Sequence, residues 1–355
     1  TRQFHPLPDN GRQRHARADF VHESFRECHN PRFIGLSARF QGRYNSPSMA
    51  QNTQNPPRLA LGILCGIGAG MLFGTDFLPA QILKDFSSLE FYAGRAFFFG
   101  LASLFFCRPA FKAFMAFTAR EKAYVACLNA AGFWLYSLIL FWSLQNGNPV
   151  IATMIVGMMP ATIALFSKKP ADLGVLFLVG LLLILTGLGV LHMDSLGEMQ
   201  QGWIAWVMPF GSLALWTWYG VKNAAFVQKH PQLSKTDMVS IMGVMTFVVI
   251  GGLSLALVDI PRILHHEQFG AYVLWSAVLG VGSSWLGFWL WNICSKNCPA
   301  SIAGPLLVSE TMFGLLYTFL WQQRMPKTTE AAAIILFAFG ALLVVYAESR
   351  ESSSS

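Results

Sequence analysis

Glu310, Asp76 and Arg95 each stand inside a long apolar run of this 355-residue chain. An ionised side chain in such a run is costly to bury, so it faces a polar cavity or a partner. Glu310, between Ser309 and Thr311, is the deepest of the three. Substrate binding, proton coupling and gating all suit a carboxyl group there; a structural hydrogen bond is the plain alternative. Asp76 and Arg95 come from consecutive runs, and two readings stand side by side: a neutralising pair between neighbouring helices, or contacts to a substrate. Lys222 lies near the end of its run, where its stem can snorkel to the headgroups. His192 is interfacial. Asn292, beside Trp291, can donate to a polar substrate or to another helix. Trp134, Tyr136, Trp142, Trp216, Trp218, Tyr219, Trp285, Trp289 and Trp291 crowd three runs. An aromatic wall suits an apolar, aromatic or cationic metabolite, and two or three of these rings would suffice for one.

Ten apolar segments must position these groups, near 59–83, 87–107, 123–145, 149–167, 173–193, 203–226, 238–258, 271–294, 301–321 and 330–347. The chain is 54% hydrophobic and 12% charged, which a bilayer explains and a soluble core does not. A spanning helix needs about 20 mostly apolar residues, and helices alone satisfy their own backbone in hydrocarbon; the alternation of a membrane barrel is absent. The expected fold is therefore an all-α membrane protein of ten transmembrane helices. Pro79 and Pro160 are the candidate helix breaks, in segments 1 and 4, with Pro209 early in segment 6. Freed backbone groups at such breaks often mark a transport site. Gly62, Gly66, Gly70 and Gly74 recur every fourth residue, a groove for close helix packing.

Other classes are poorly served. Residues 1–58 hold nine Arg against four acids, and the rest is nearly balanced, so no basic face for nucleic acid exists. The six cysteines are scattered and give no disulfide framework. Cys294 and Cys298 read as small helix residues and not as metal ligands. No Walker loop is present. An enzyme acting on a lipid or headgroup would need a reactive cluster near the headgroups; His265, His266, Glu267 and Asp259 are the only candidates, within one short solvated loop. A non-transporting membrane partner protein is the third reading, disfavoured by the want of a soluble domain. No cofactor is expected. Residues 1–57 read as a polar tail, with translation expected to start at Met49 and an organellar transit peptide as the rival reading. Residues 58–197 and 198–347 form two repeats of five segments, and 348–355 a polar tail.

Loops after segments 2, 4, 6 and 8, with the C-terminal tail, hold ten Lys and Arg; those after segments 1, 3, 5, 7 and 9 hold four. Basic loops stay cytoplasmic, which puts both termini there. An odd number of spans reverses direction on duplication, so the second five would lie upside down relative to the first. Punctuation supports the repeat. Segment 2 opens at Ser87-Ser88-Leu89-Glu90 and segment 7 at Ser234-Lys235-Thr236-Asp237, both capping patterns. Segments 4 and 9 open at Asn148-Pro149 and Cys298-Pro299, after short hairpins. Gly187, Gly189 and Gly340 give segments 5 and 10 flat faces for a second copy of the chain.

The motifs go further. Trp285-Leu286-Gly287 with Trp291-Asn292, Gly304-Pro305-Leu306-Leu307-Val308-Ser309-Glu310-Thr311, Gly314 to Leu320 and Gln323-Arg324-Met325-Pro326 are the main ones. With Gly94-Arg95, Thr153 to Gly157 and Trp216 to Asn223, they resemble the EamA family of the drug/metabolite transporter superfamily, in a bacterial inner-membrane subgroup. The resemblance covers about residues 58–347. It implies secondary transport, by alternating access and typically outward, of an amino acid, an amine, a drug or another small metabolite along a path between the two halves. It places Glu310 at the family's segment-9 Glu, where the next residue is usually Pro and is here Thr311.

Overall fold

The computed structural model describes residues 56–105, 107–167, 174–195, 204–230, 233, 235–298 and 300–354, whose regular elements are all helices joined by short turns, with no strand among them. Segment 1 is α1 (Pro56–Gly74), a tight turn (Thr75–Phe77) and α2 (Pro79–Ile82). Segment 2 is α3 (Ser88–Phe105). It is followed by α4 (Cys107–Met115), where the sequence reading expected a loop. Segment 3 is α5 (Ala119–Asn129), a π-helical stretch (Ala130–Trp134) and α6 (Leu135–Asn146). Segment 4 is α7 (Pro149–Val156) and α8 (Met159–Ser167). Then come α9 (Val175–Ser195), α10 (Ile204–Lys229), α11 (Lys235–Leu257) and the short α12 (Ile260–Leu264). Segment 8 is α13 (Phe269–Ala277), a second π stretch (Val278–Gly287) and α14 (Phe288–Asn297); α15 (Ala300–Trp321) and α16 (Thr328–Ser354) finish the chain. Six stretches among the described residues are long and apolar enough to cross a membrane, and Val175–Leu191 and Leu306–Trp321 are shorter apolar helices.

Local chemistry sets the boundaries. Ser87 and Glu90 form the expected capping box: the Glu90 N–H donates to Ser87 Oγ (3.2 Å) and the Ser87 N–H to Glu90 Oε2 (2.7 Å). Thr118 and Glu121 do the same for α5. Asn148 caps α7. Ser234, of the second expected box, lies outside the described residues.

Pairing of the helices has a plain logic. α1 packs on α14 and α15; α10 packs on α6, α7 and α8; α3 packs on α11; and α9 packs on α16. The glycine stripe is where α1 meets the α14–α15 corner. A Cβ on Gly66 would stand 2.6 Å from Leu306 Cδ1, and one on Gly74 2.8 Å from Phe313 Cβ. The faces of Gly187 and Gly340, expected to serve a second copy, are occupied within the chain: a Cβ on Gly187 would meet Ala333 O at 2.7 Å, and one on Gly340 Ile184 N at 2.9 Å. Gly189 alone of the three faces open space. Among the described residues three buried clusters result, one around Phe77, Phe91, Tyr136, Phe141 and Met154, one around Phe99, Phe133, Tyr219 and Met242 and a small one of Tyr92, Ala96 and Ile250.

Candidate functional site

Pro79 has no N–H and its ring crowds the carbonyl four residues back, Thr75 O, so α1 does not run through. The chain tightens instead, and Leu78 N–H donates to Thr75 O at 3.2 Å. Asp76 sits in that turn. Its Oδ2 accepts from Arg95 Nη2 at 3.0 Å, and the two side chains are 12% and 11% exposed. Arg95 Nε donates to Ser284 Oγ at 3.0 Å, and the guanidinium lies 5.7 Å from the Tyr92 ring centroid. Of the two readings of Asp76 and Arg95, the pair is the arrangement present. Asp76 Oδ1 is buried with no hydrogen-bond partner. It borders a cavity of ≈ 10 Å³ lined by Tyr92, Arg95, Ser137, Leu140 and Leu279 among others, room for about one water.

The second break is built the same way. Pro160 crowds Val156 O, α7 stops there, and Gly157 and Met158 turn the chain, with Met158 N–H donating to Ile155 O at 3.1 Å. Gly157 is pressed against α15: a Cβ there would meet Thr311 Cγ2 at 2.8 Å. One residue earlier on α15 is Glu310. It shares a cavity of ≈ 10 Å³ with Val156, Met159, Pro160, Trp216 and Leu307. Glu310 is half-buried and forms no hydrogen bond or ion pair among the described residues. It lies within electrostatic reach of Asp76, and Tyr136 within reach of Glu310, Asp76 and Arg95. Trp216 and Tyr136 meet edge to face, centroids 6.4 Å apart. Pro209, by contrast, leaves α10 unbroken. Thr311 follows Glu310, and α15 runs unbroken through both.

The arrangement thus gathers Asp76, Arg95, Glu310, Pro79 and Pro160 into neighbouring positions. The remaining candidates stand apart. Trp218, 38% exposed, lies beside Tyr124. Tyr219 is buried against Phe133 and Trp216, filling the space left by Gly132. Trp291 is half-buried and lines neither cavity; Asn292 is half-buried too, its Nδ2 enclosed with no partner. Ser284 was not legible beforehand. A serine in an apolar run, here one of the adjacent pair Ser283 and Ser284, carries no signal until its π-helical stretch turns it toward Arg95. In the loop that held the enzyme candidates, Asp259 caps α12, His265 Nδ1 faces Pro261 O at 2.8 Å and the His266 ring lies 4.6 Å from Phe86.

One end of the molecule is tied shut. Arg262 Nη1 donates to Glu90 Oε1 (2.5 Å) and Nη2 to Asp85 O (2.8 Å). Gln145 Nε2 donates to Leu83 O and Phe86 O at 3.1 and 2.9 Å. Gln81 Nε2 donates to Thr318 Oγ1 at 3.0 Å. At the opposite end Glu121 Oε1 lies 3.0 Å from His230 Nε2.

No family model matches the chain. It is 27% identical over 316 residues to the inner membrane protein YtfF of Escherichia coli K12, covering 81% of this chain and 95% of that protein. A 39-residue stretch is 44% identical to an uncharacterized transporter of Haemophilus influenzae, covering 11% of this chain and 23% of that one. A crystal structure aligns with a TM-score of 0.57 at 18% identity, over 80% of this chain and 96% of that chain, so the two share a fold. Homology to an inner membrane protein, joined to several apolar helices, makes this chain an integral membrane protein.

Proposed function

We propose that the chain is a secondary transporter of the drug/metabolite type, with the EamA family's ten spans and inverted five-plus-five repeat, moving a small metabolite outward by alternating access. The observation that carries this reading is the charged layer of Asp76, Arg95 and Glu310, gathered where two broken helices pack on α15. Such groups inside a bilayer mark substrate or ion pathways by default, and broken helices at mid-depth are the usual frame of a transporter's site.

Three further observations support it. Shifting segment numbers by five carries the pairing of 1 with 8 and 9 onto that of 6 with 3 and 4, and leaves 2 with 7 and 5 with 10 unchanged. The two π-helical stretches fall in segments 3 and 8, which the same shift exchanges. One relative is named a transporter. The repeats are then 58–197 and 198–347, with both termini cytoplasmic and the bacterial inner membrane as the site of action.

The test is counterflow in proteoliposomes. The full chain is loaded with amino acids, polyamines or aromatic amines and compared with Glu310→Gln. Saturable exchange of one class, cut by at least about tenfold in the variant, is expected; one hydrogen bond from a substrate to a charged group is worth about 1.5–3 kcal/mol. Absence of exchange across the panel, from protein shown to be folded, would overturn the reading.

A further inference from the structure

Counting charges in the central layer leads beyond transport in general to the kind of molecule transported, and rests on that reading. Asp76 and Arg95 cancel: one carboxylate oxygen and one guanidinium nitrogen meet at 3.0 Å, and Arg95 spends Nε on Ser284 as well. Glu310 has no such partner among the described residues, although it belongs to the same layer and lies within reach of the Asp76 charge. Around the two cavities Asp76 Oδ1 is an enclosed acceptor without a partner and the Glu310 carboxyl has none among the described residues, whereas the enclosed donor Asn292 Nδ2 lines neither cavity. A carboxyl group in a low-dielectric interior without a counter-charge bears a negative charge only at a cost, and gives the charge up when nothing offsets that cost. A ligand that brings N–H donors and positive charge removes that cost, whereas an anionic ligand adds to it. The walls agree, for Trp216 borders the Glu310 cavity and Tyr136 stands edge to face with it. Aromatic faces attract cations and not anions.

We infer that the central site selects organic cations, specifically protonated amines, with Glu310 as the counter-charge and Trp216 and Tyr136 as walls. Arg95 is a positioning residue in this arrangement. Held by Asp76 and Ser284, its charge is not offered to a carboxylate ligand, which disfavours amino acids against the corresponding amines. The two cavities of ≈ 10 Å³ are too small to hold such a ligand as they stand, so binding has to part α8 and α10 from α15 around Glu310.

Charge-matched series test this on the full chain in detergent and in proteoliposomes: tyramine, tyrosine and hydroxyphenylpropionate, and in parallel butylamine, norleucine and pentanoate. Thermal stabilisation reports binding and counterflow reports transport. We expect the amine of at least one series to bind and exchange at least ~tenfold better than its zwitterionic and anionic counterparts, a difference of ~1.4 kcal/mol. Glu310→Gln should erase that preference and Glu310→Asp should keep it. The comparison within each series needs no variant, so a misfolded Glu310→Gln does not blunt it. Preference for the zwitterion or anion, or indifference to charge, overturns the cation inference and leaves transport standing. Amine-selective, Glu310-dependent binding without exchange supports the cation site and overturns transport. Neither binding nor exchange in either series overturns both.

Discussion

At the scale of single residues, Arg95 holds the tightest position in the layer. Its guanidinium is nine-tenths buried with Asp76 and Ser284 as partners. Breaking such a pair from one side leaves an uncompensated charge, whereas removing both charges together is far cheaper. Arg95→Gln should therefore lower stability by about 3–5 kcal/mol, and adding Asp76→Asn should recover much of the loss. Thermal unfolding in detergent of both singles and the double checks this; a double variant as unstable as the sum of the singles would show that the pair is not a coupled unit. The three charged groups were legible in the sequence because charge inside an apolar run is rare and costly. Their partnership was left open, since spacing along a chain does not reveal which helices touch. Aromatic residues misled by abundance. Trp216 and Tyr136 border the layer, yet Trp218, two residues from Trp216 on the same helix, is 38% exposed. A helix turns about 200° in two residues, so a cluster of rings in sequence is spread around the helix in space.

At the scale of elements, the glycine stripe of α1 shows how a packing device and a site depend on each other. Gly70 abuts Ser309 and Glu310, and Gly74 abuts Phe313 and Gly314, so the depth at which α1 seats on α15 also sets how Glu310 faces Asp76. A Cβ on Gly74 would fall 2.8 and 2.9 Å from Phe313 Cβ and Gly314 N, with backbone that has no room to yield. Gly74→Ala is expected to cost about 1–3 kcal/mol through overpacking and to depress transport, while Gly189→Ala, in open space, leaves both unchanged. Melting temperatures and counterflow rates of the two variants decide it, and equal behaviour would refute the packing argument. Helices as such were readable from length and apolarity, and two breaks from proline. Pro209 shows the limit of that signal: six residues into α10 it removes one early hydrogen bond, and the helix tolerates the loss. The π-helical stretches at Ala130–Trp134 and Val278–Gly287 had no sequence mark, because they arise from one extra residue per turn and not from residue type.

At the scale of the whole molecule, the five-shift symmetry of helix pairing is incomplete: α8 packs on α16 without a comparable contact of α15 on α9 among the described residues, and a second break, at one mouth, points to a state. At one end α2 packs on α6, and Gln145 ties α6 to Leu83 and Phe86. The symmetry-related pair at the other end would be α10 with α14, and these scarcely touch among the described residues. One mouth is therefore closed by a contact that has no comparable counterpart among the described residues, the kind of asymmetry expected of an alternating-access protein in either of its end states. On the proposed topology, with the amino terminus cytoplasmic, the closed mouth is the outer one. Arg262, reaching from the second half to Glu90 and Asp85 O in the first, adds a seal that must also break when the outer mouth opens. Locking α2 to α6 should then hold the molecule in this state. With the native cysteines replaced, the pair Leu83→Cys and Gln145→Cys is joined by a short bis-methanethiosulfonate linker, because the Gln145 side chain itself spans the gap to Leu83 O and a direct disulfide needs closer Cβ atoms. Cross-linked protein should lose counterflow and recover it on reduction, with the single-cysteine variants unaffected. Full exchange by protein shown to be completely cross-linked would mean that this mouth never opens, and the alternating-access reading would fall with it.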